Sequence, residues 1–323
     1  MSELQQVLTT TFVVGLFAAG MRLAIPIFLA ALGEIITERG GVLNLGLEGI
    51  MLVGAFGGFA VAFYAQEALP AGAQWLAPWL GLAAGAAAGM VMGLLMAVLA
   101  VTLQTDQVIA GIMLVVLGTG VTTYFYRQWF GSLTARVESL PPVPIPVLAD
   151  IPVLGPIFFQ HDLMTYLSLA ILLAGWYFLF RTTWGLNLRA AGELPAAADT
   201  SGVSVSAVRY AAVLIGAALT GLGGAVLTVA QLGIFSEGIT AGRGWIAVAL
   251  VIFANWRPGP AFAGAFLFGL ATALQFRIQA LNIPSLPYEL LLMLPYVLTI
   301  LALLVNSGAS QAPAALGKPY VKE

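Results

Sequence analysis

The stretch WLAPWLGLAAGAAAGMVMGLLMAVLAV, Trp75 to Val101, holds no charged residue and no polar break. It is longer than the roughly 20 residues needed to cross a bilayer as a helix. Its apolar residues run continuously rather than alternating, which is the pattern of a membrane helix and not of an outer-membrane barrel strand. The same character extends through the chain. Of 323 residues 60% are hydrophobic and 8% charged, and the mean hydropathy is +0.99. A soluble chain carries about 25% charged residues. No soluble core could hide this much apolar surface, so the solvent is lipid. Lipid offers the backbone no hydrogen bonds, so each span must be helical. The sequence predicts an all-α polytopic membrane protein.

Nine apolar segments can be drawn, with eight to ten as the range. They are Phe12–Ile36, Leu45–Tyr64, Trp75–Val101, Val108–Tyr126, Met164–Phe180, Ala207–Ala230, Trp245–Ala254, Pro260–Ala280 and Pro287–Val305. The seventh is short, as expected of a broken helix or a span that starts earlier. All 323 residues read as one transmembrane domain. No Lys or Arg precedes Arg22, so the N-terminus lacks the basic region of a cleaved signal peptide. With the N-terminus outside, Arg39, Arg181, Arg189, Arg209, Arg257, Lys318 and Lys322 fall inside. Arg127, Arg136, Arg243 and Arg277 then fall outside, and this bias favours the orientation.

The composition also excludes chemistry. Net charge is −2, which leaves no basic field for nucleic acid, and there is no cysteine for disulfides or thiolate metal sites. The single histidine, His161, rules out a multi-histidine metal site, and beside Asp162 it is expected in solvent. A P-loop needs Lys followed by Ser or Thr. The only lysines are Lys318, which precedes Pro319, and Lys322. No catalytic constellation is present, and the chain is not read as an enzyme.

Two connections are long. Residues 132–162 form an external loop rich in proline (Pro141, Pro142, Pro144, Pro146, Pro152 and Pro156), expected to be extended and semi-rigid. It is either a spacer or a docking ledge. Residues 182–206 form an internal loop. Within it Glu193 to Thr200 reads as a short helix, with Pro195 in the first turn and Gly202 as the stop. It serves as linkage or as a handle for a partner. Gly81, Gly85, Gly89 and Gly93 recur every fourth residue, as do Gly216, Thr220 and Gly224, so both faces admit a close helix neighbour.

Ionisable groups at membrane depth are expensive and point to function. GEIITERGGVLNLGLEG, Gly33 to Gly49, holds Glu34, Glu38, Arg39, Asn44 and Glu48 among glycines. A helix break is expected near residues 38–49. Glu38 and Arg39 are read as a turn in water, and Glu34, Asn44 and Glu48 as candidates for a solute pathway. Thr105, Asp106 and Gln107 form a second polar pocket with Gln104. Gly242, Arg243 and Gly244 form a third. Arg22, inside the first span, is expected to meet an acidic residue or carbonyls on a neighbouring helix.

Three strings carry a family likeness: ITERGGVLNLGLEGIMLVGAF (Ile36–Phe56), RTTWGLNLRAAGELPAAADTSGVSVSAVRYAAVLIGAALTGLGGA (Arg181–Ala225) and GIFSEGITAGRGWIAVALVIFANWRPGPAFAGAFLFG (Gly233–Gly269). They resemble the permease subunits of bacterial ABC importers for simple sugars, nucleosides and branched-chain amino acids. ERGGVLNLGLEG is most similar to the nucleoside permeases that work with a basic-membrane-protein type lipoprotein. The resemblance implies a cobalamin-importer-like bundle, usually of about ten helices, of which this chain is expected to lack the first. It implies a multi-pass protein of the bacterial cytoplasmic membrane. Its partners would be an ABC ATPase, a second permease chain (the same or a related one) and an external substrate-binding lipoprotein. No cofactor is expected on this chain, and ATP–Mg would sit on the ATPase. Glu193, Leu194, Pro195, Ala196, Ala197, Ala198, Asp199 and Gly202 match the family's coupling helix. Residues 182–206 would be the coupling loop. The alternatives are a ribose, simple-sugar or branched-chain amino acid permease. From a different class, an ion-coupled secondary transporter could use Glu34, Glu48 or Asp106.

Overall fold

The computed structural model describes residues 10–131, 135–280 and 311–321, with isolated positions at 290, 293, 296, 297, 300 and 301. The chain folds into α1 (Thr10–Arg39), α2 (Leu47–Ala68), α3 (Ala77–Ala97), α4 (Gln107–Phe130), α5 (Leu163–Arg181), α6 (Thr183–Glu193), α7 (Pro195–Thr200), α8 (Val205–Ala225), α9 (Arg243–Phe253) and α10 (Pro258–Ala280). Wider π turns extend α3 through Thr102 and α8 through Leu232. Among the described residues no strand forms, and one isolated β-bridge joins Pro142 to Asp162.

Seven described helices are long and apolar enough to cross a membrane: α1 to α5, α8 and α10. This is a polytopic helical membrane protein with seven described spans, not the nine drawn from hydropathy. α9 is apolar but has only 11 residues, about 16 Å at 1.5 Å per residue. The ninth expected segment, Pro287–Val305, lies outside the described residues apart from isolated positions, as do residues 132–134 and Lys322.

α8 is the hub of the bundle. Its small residues let three helices touch its backbone. A Cβ on Gly89 of α3 would sit 2.3 Å from the Ala217 carbonyl oxygen, and one on Gly216 would sit 2.5 Å from the Gly33 oxygen of α1. On α2, Gly54 faces Gly221 as closely. Both small-residue faces expected from the sequence are therefore packing seams. α10 lies along α1, with Gly269 against Gly20.

The internal loop is more ordered than expected. Thr182 accepts a hydrogen bond from the Gly185 amide (3.1 Å) and so caps α6, a helix the sequence reading missed. α7 begins at Pro195, whose missing N–H costs nothing at a first helical position.

The proline-rich segment is tied down. Val143 N donates to His161 O and Ile145 N to Phe159 O. His161 is 2% exposed, not solvated, and its Nε2 lies 2.7 Å from the Ile157 oxygen. Asp162 caps α5 through the Thr165 amide and hydroxyl. Arg136, Glu138, Leu232 and Gly233 help line an open cavity of about 610 Å³ at this end of the bundle.

Candidate functional site

The polar string between the first two spans forms a re-entrant connection. Gly40 and Gly41 end α1, and Gly41 takes φ +89°, a conformation that favours glycine. The chain then turns back along α1. Val42 N donates to Thr37 O, and Asn44 N donates to Glu34 Oε1 at 2.9 Å. Asn44 Oδ1 accepts from Gly46 N (3.0 Å) and launches α2. Leu43 N donates to Gln107 Oε1 at 2.8 Å. Glu34, Asn44 and Gln107 are all buried. Irregular backbone away from water is tolerated because these side chains satisfy its amides. The expected helix break therefore lies at residues 40–46.

The second part of the site is α9, which this connection grips at both ends. Glu48 Oε1 accepts from Thr240 Oγ1 (2.5 Å) and Gly242 N (2.9 Å), and Oε2 accepts from Gly244 N (2.7 Å). A carboxylate is stabilised at a helix N-terminus by the free amides and the helix dipole. At the other end Arg39 donates to the carbonyls of Asn255 (3.4 Å) and Trp256 (3.2 Å). The Trp256 indole N–H donates to Glu38 Oε2. Asn255 and Trp256 adopt φ +51° and +55°, a left-handed bend that points their carbonyls at Arg39.

The structure thus brings Glu34, Asn44 and Gln107 together, with Glu38 one turn along α1. Glu48 belongs to the α9 grip. Thr105 and Asp106 stand apart and exposed: Asp106 caps α4 through the Ile109 amide, and Thr105 binds Leu99 O. Two expectations are corrected. Glu38 is 1% exposed and Arg39 is half-buried, so neither is a solvated turn residue. Arg22 is exposed, and what binds Gln231 is its carbonyl, not its guanidinium. Arg243 starts α9 beside Glu48 and donates to the Thr240 carbonyl. Trp256 and Thr240 escaped the sequence reading because their partners lie far away in sequence.

The expected coupling residues form one surface. Glu193 ends α6, Leu194 is exposed, and Pro195, Ala196, Ala197, Ala198 and Asp199 make up most of α7. Ala198 is buried, and Ala196 and Ala197 face out. Gly202, at φ +86°, follows and donates to Asp199 O.

Residues 16–303 match a family described as the permease component of the branched-chain amino acid transport system. The chain belongs to this permease family. It is 38% identical to a guanosine ABC transporter permease protein of Bacillus subtilis, across 93% of this chain and 94% of that one. It is 39% identical to a nucleoside ABC transporter permease protein of Lactococcus lactis, across 92% and 93%. A putative glucose ABC transporter permease protein of Haloferax volcanii is 42% identical over 84% of this chain and 80% of its own. No solved structure matches the chain, so the cobalamin-importer-like bundle expected from the resemblance finds no support. The permease match spans the re-entrant connection, α7 and α9, and ends before residues 311–321.

Proposed function

We propose that this chain is the transmembrane subunit of an ABC importer that carries nucleosides across the cytoplasmic membrane. The observation that carries the reading is the end-to-end match, above 90% of both chains, to a guanosine and a nucleoside permease. The α6–α7 surface supports a docking role: it presents exposed Leu194, Ala196 and Ala197 beside Glu193, a small apolar face that fits a cleft on an ABC ATPase. That ATPase would hold the ATP–Mg. A second permease chain and an external substrate-binding lipoprotein complete the assembly. Solute passage would use Glu34, Asn44 and Gln107, with Thr105 and Asp106 at the mouth. In this reading Glu48 holds α9 in place rather than touching solute.

A simple sugar is the second reading, favoured by the 42% identity to the putative glucose permease. The test is uptake of radiolabelled guanosine and glucose into cells expressing this chain, with and without its ATPase and binding protein. Guanosine uptake that needs both partners is the expected result. Glucose uptake alone would replace the substrate assignment. Uptake by this chain alone, collapsed by an uncoupler, would overturn the importer reading.

A further inference from the structure

The C-terminal segment Gln311–Val321 is fastened along its length to the α6–α7 end of the bundle. Gln311 N donates to Asn255 Oδ1 (3.0 Å), beside the Arg39 grip on α9. Ala314 N donates to the Glu193 carboxylate (3.2 Å) and Ala315 N to Gly192 O (2.9 Å), both at the end of α6. Gly317 N donates to Gly41 O (3.2 Å) on the re-entrant connection. The Tyr320 hydroxyl donates to Asp199 Oδ2 on α7 (3.1 Å), and its carbonyl accepts from Gln104 Nε2 (3.3 Å). One segment of 11 residues thus joins α6, α7, the α1–α2 connection, the turn after α9 and the turn before α4.

Its deepest anchor is Arg209, the fifth residue of α8. Arg209 is 2% exposed, and Nη1 donates to Lys318 O at 2.9 Å. Its Nε and Nη2 have no partner among the described residues. A buried guanidinium is held in place only by the acceptors it finds, and here the acceptor is the strap's carbonyl.

We propose that residues 311–321 are a strap that locks α7 to the re-entrant connection, so that movement of α7 reaches α1 and α2 directly and not only through α8. This rests on the reading of α7 as the ATPase contact. The strap stays docked throughout the cycle.

The test compares the full chain with a chain stopped after Ser310, each reconstituted with its ATPase and binding protein. The readouts are ATPase capture, ATP hydrolysis and radiolabelled guanosine taken up per ATP. The truncated chain is expected to capture ATPase and hydrolyse ATP but to lose at least tenfold in uptake per ATP. Unchanged uptake per ATP overturns the strap. Truncation also strands Arg209, so it is repeated with Arg209→Met, which removes that charge. Continued uncoupling supports the strap, and restored coupling overturns it, because the segment would then serve only to neutralise Arg209. Since the chain has no cysteine, Asn255→Cys with Gln311→Cys introduces the only thiols, at a strap contact that lies outside the α6–α7 surface. Uptake retained once the disulfide has formed, as blocked thiol labelling shows, supports a docked strap; loss on oxidation that reduction reverses, or thiols that stay free under oxidant, overturns it. Ala197→Arg separates the two readings. If it leaves ATPase capture and uptake intact, the α7 assignment fails and the strap proposal with it. If it blocks capture while truncation does nothing, the strap alone fails.

Discussion

Arg39 and Glu48 hold opposite ends of the same short helix. Glu48 takes the amide end of α9, and Arg39 takes the carbonyls just past its other end. Each charge is the sign that the helix dipole favours at its end. Only the re-entrant turn separates the two residues in sequence. A helix too short to span is thereby fixed by the connection between two helices that do.

Glu48→Ala removes the acceptor for Thr240, Gly242 and Gly244. Each buried donor left unpaired costs about 1–3 kcal/mol, so the variant is expected to lose several degrees of thermal stability in detergent. Glu48→Gln keeps one acceptor oxygen and is expected to fall between. Equal melting temperatures for all three chains would mean that Glu48 does not hold α9 in place.

Trp256→Phe strands the buried Glu38 carboxylate. The expected loss is about 1–3 kcal/mol. Combining it with Glu38→Gln should cost less than the two single changes added together, because the pair acts as a unit. Strict additivity in a double-mutant cycle would mean that the indole and the carboxylate do not interact.

Gly89→Leu drives a side chain into the Ala217 backbone, where even a Cβ would come within 2.3 Å. Overpacking of this kind costs about 1–3 kcal/mol or more, so a sharp drop in folded yield is expected. Gly120→Leu on α4 meets nothing within 4 Å and serves as the control. A fall in yield for both would trace the effect to bulk rather than to the α3–α8 seam.

Burial holds the His161 imidazole below its ordinary range, against the opposing bond to the Ile157 carbonyl. The unfolded ring has its usual value near 6.5. It therefore takes up a proton before the folded ring does, and stability falls as pH drops below about 6.5. Once the slower intrinsic exchange of amides in acid is divided out, residues 142–162 are expected to be less protected at pH 5.5 than at pH 7.5, and His161→Gln should flatten that difference. An unchanged pH response in His161→Gln would move the effect to another group.

The spans were legible because lipid leaves little choice: long apolar runs must be helices, and glycine at every fourth place must meet a neighbour. α7 was legible from Pro195, although the preceding helix α6 was not, since Gly185, Gly192 and Arg189 disguise its period. Glu38 and Arg39 looked solvated because charges beside two glycines usually are. Their burial depends on Trp256, 218 positions away, and no local pattern signals such a partner. His161 was misplaced for the same reason: its cover comes from the turn at Ile157 and from Tyr166. The strap left no trace because it is held mostly by its own backbone, and backbone hydrogen bonds impose no residue type.

α8 and its π extension form one rod from Val205 to Leu232, about 42 Å long at 1.5 Å per residue. One end follows α7 after the short link Ser201–Ser204, and the other ends in the wall of the open cavity. Three helices rest on the rod by bare backbone contact, so it has little room to bend aside. A rod wedged so closely leaves no slack at its sides: Ser204 cannot be displaced across the axis without pressing on the backbones of α1, α2 and α3.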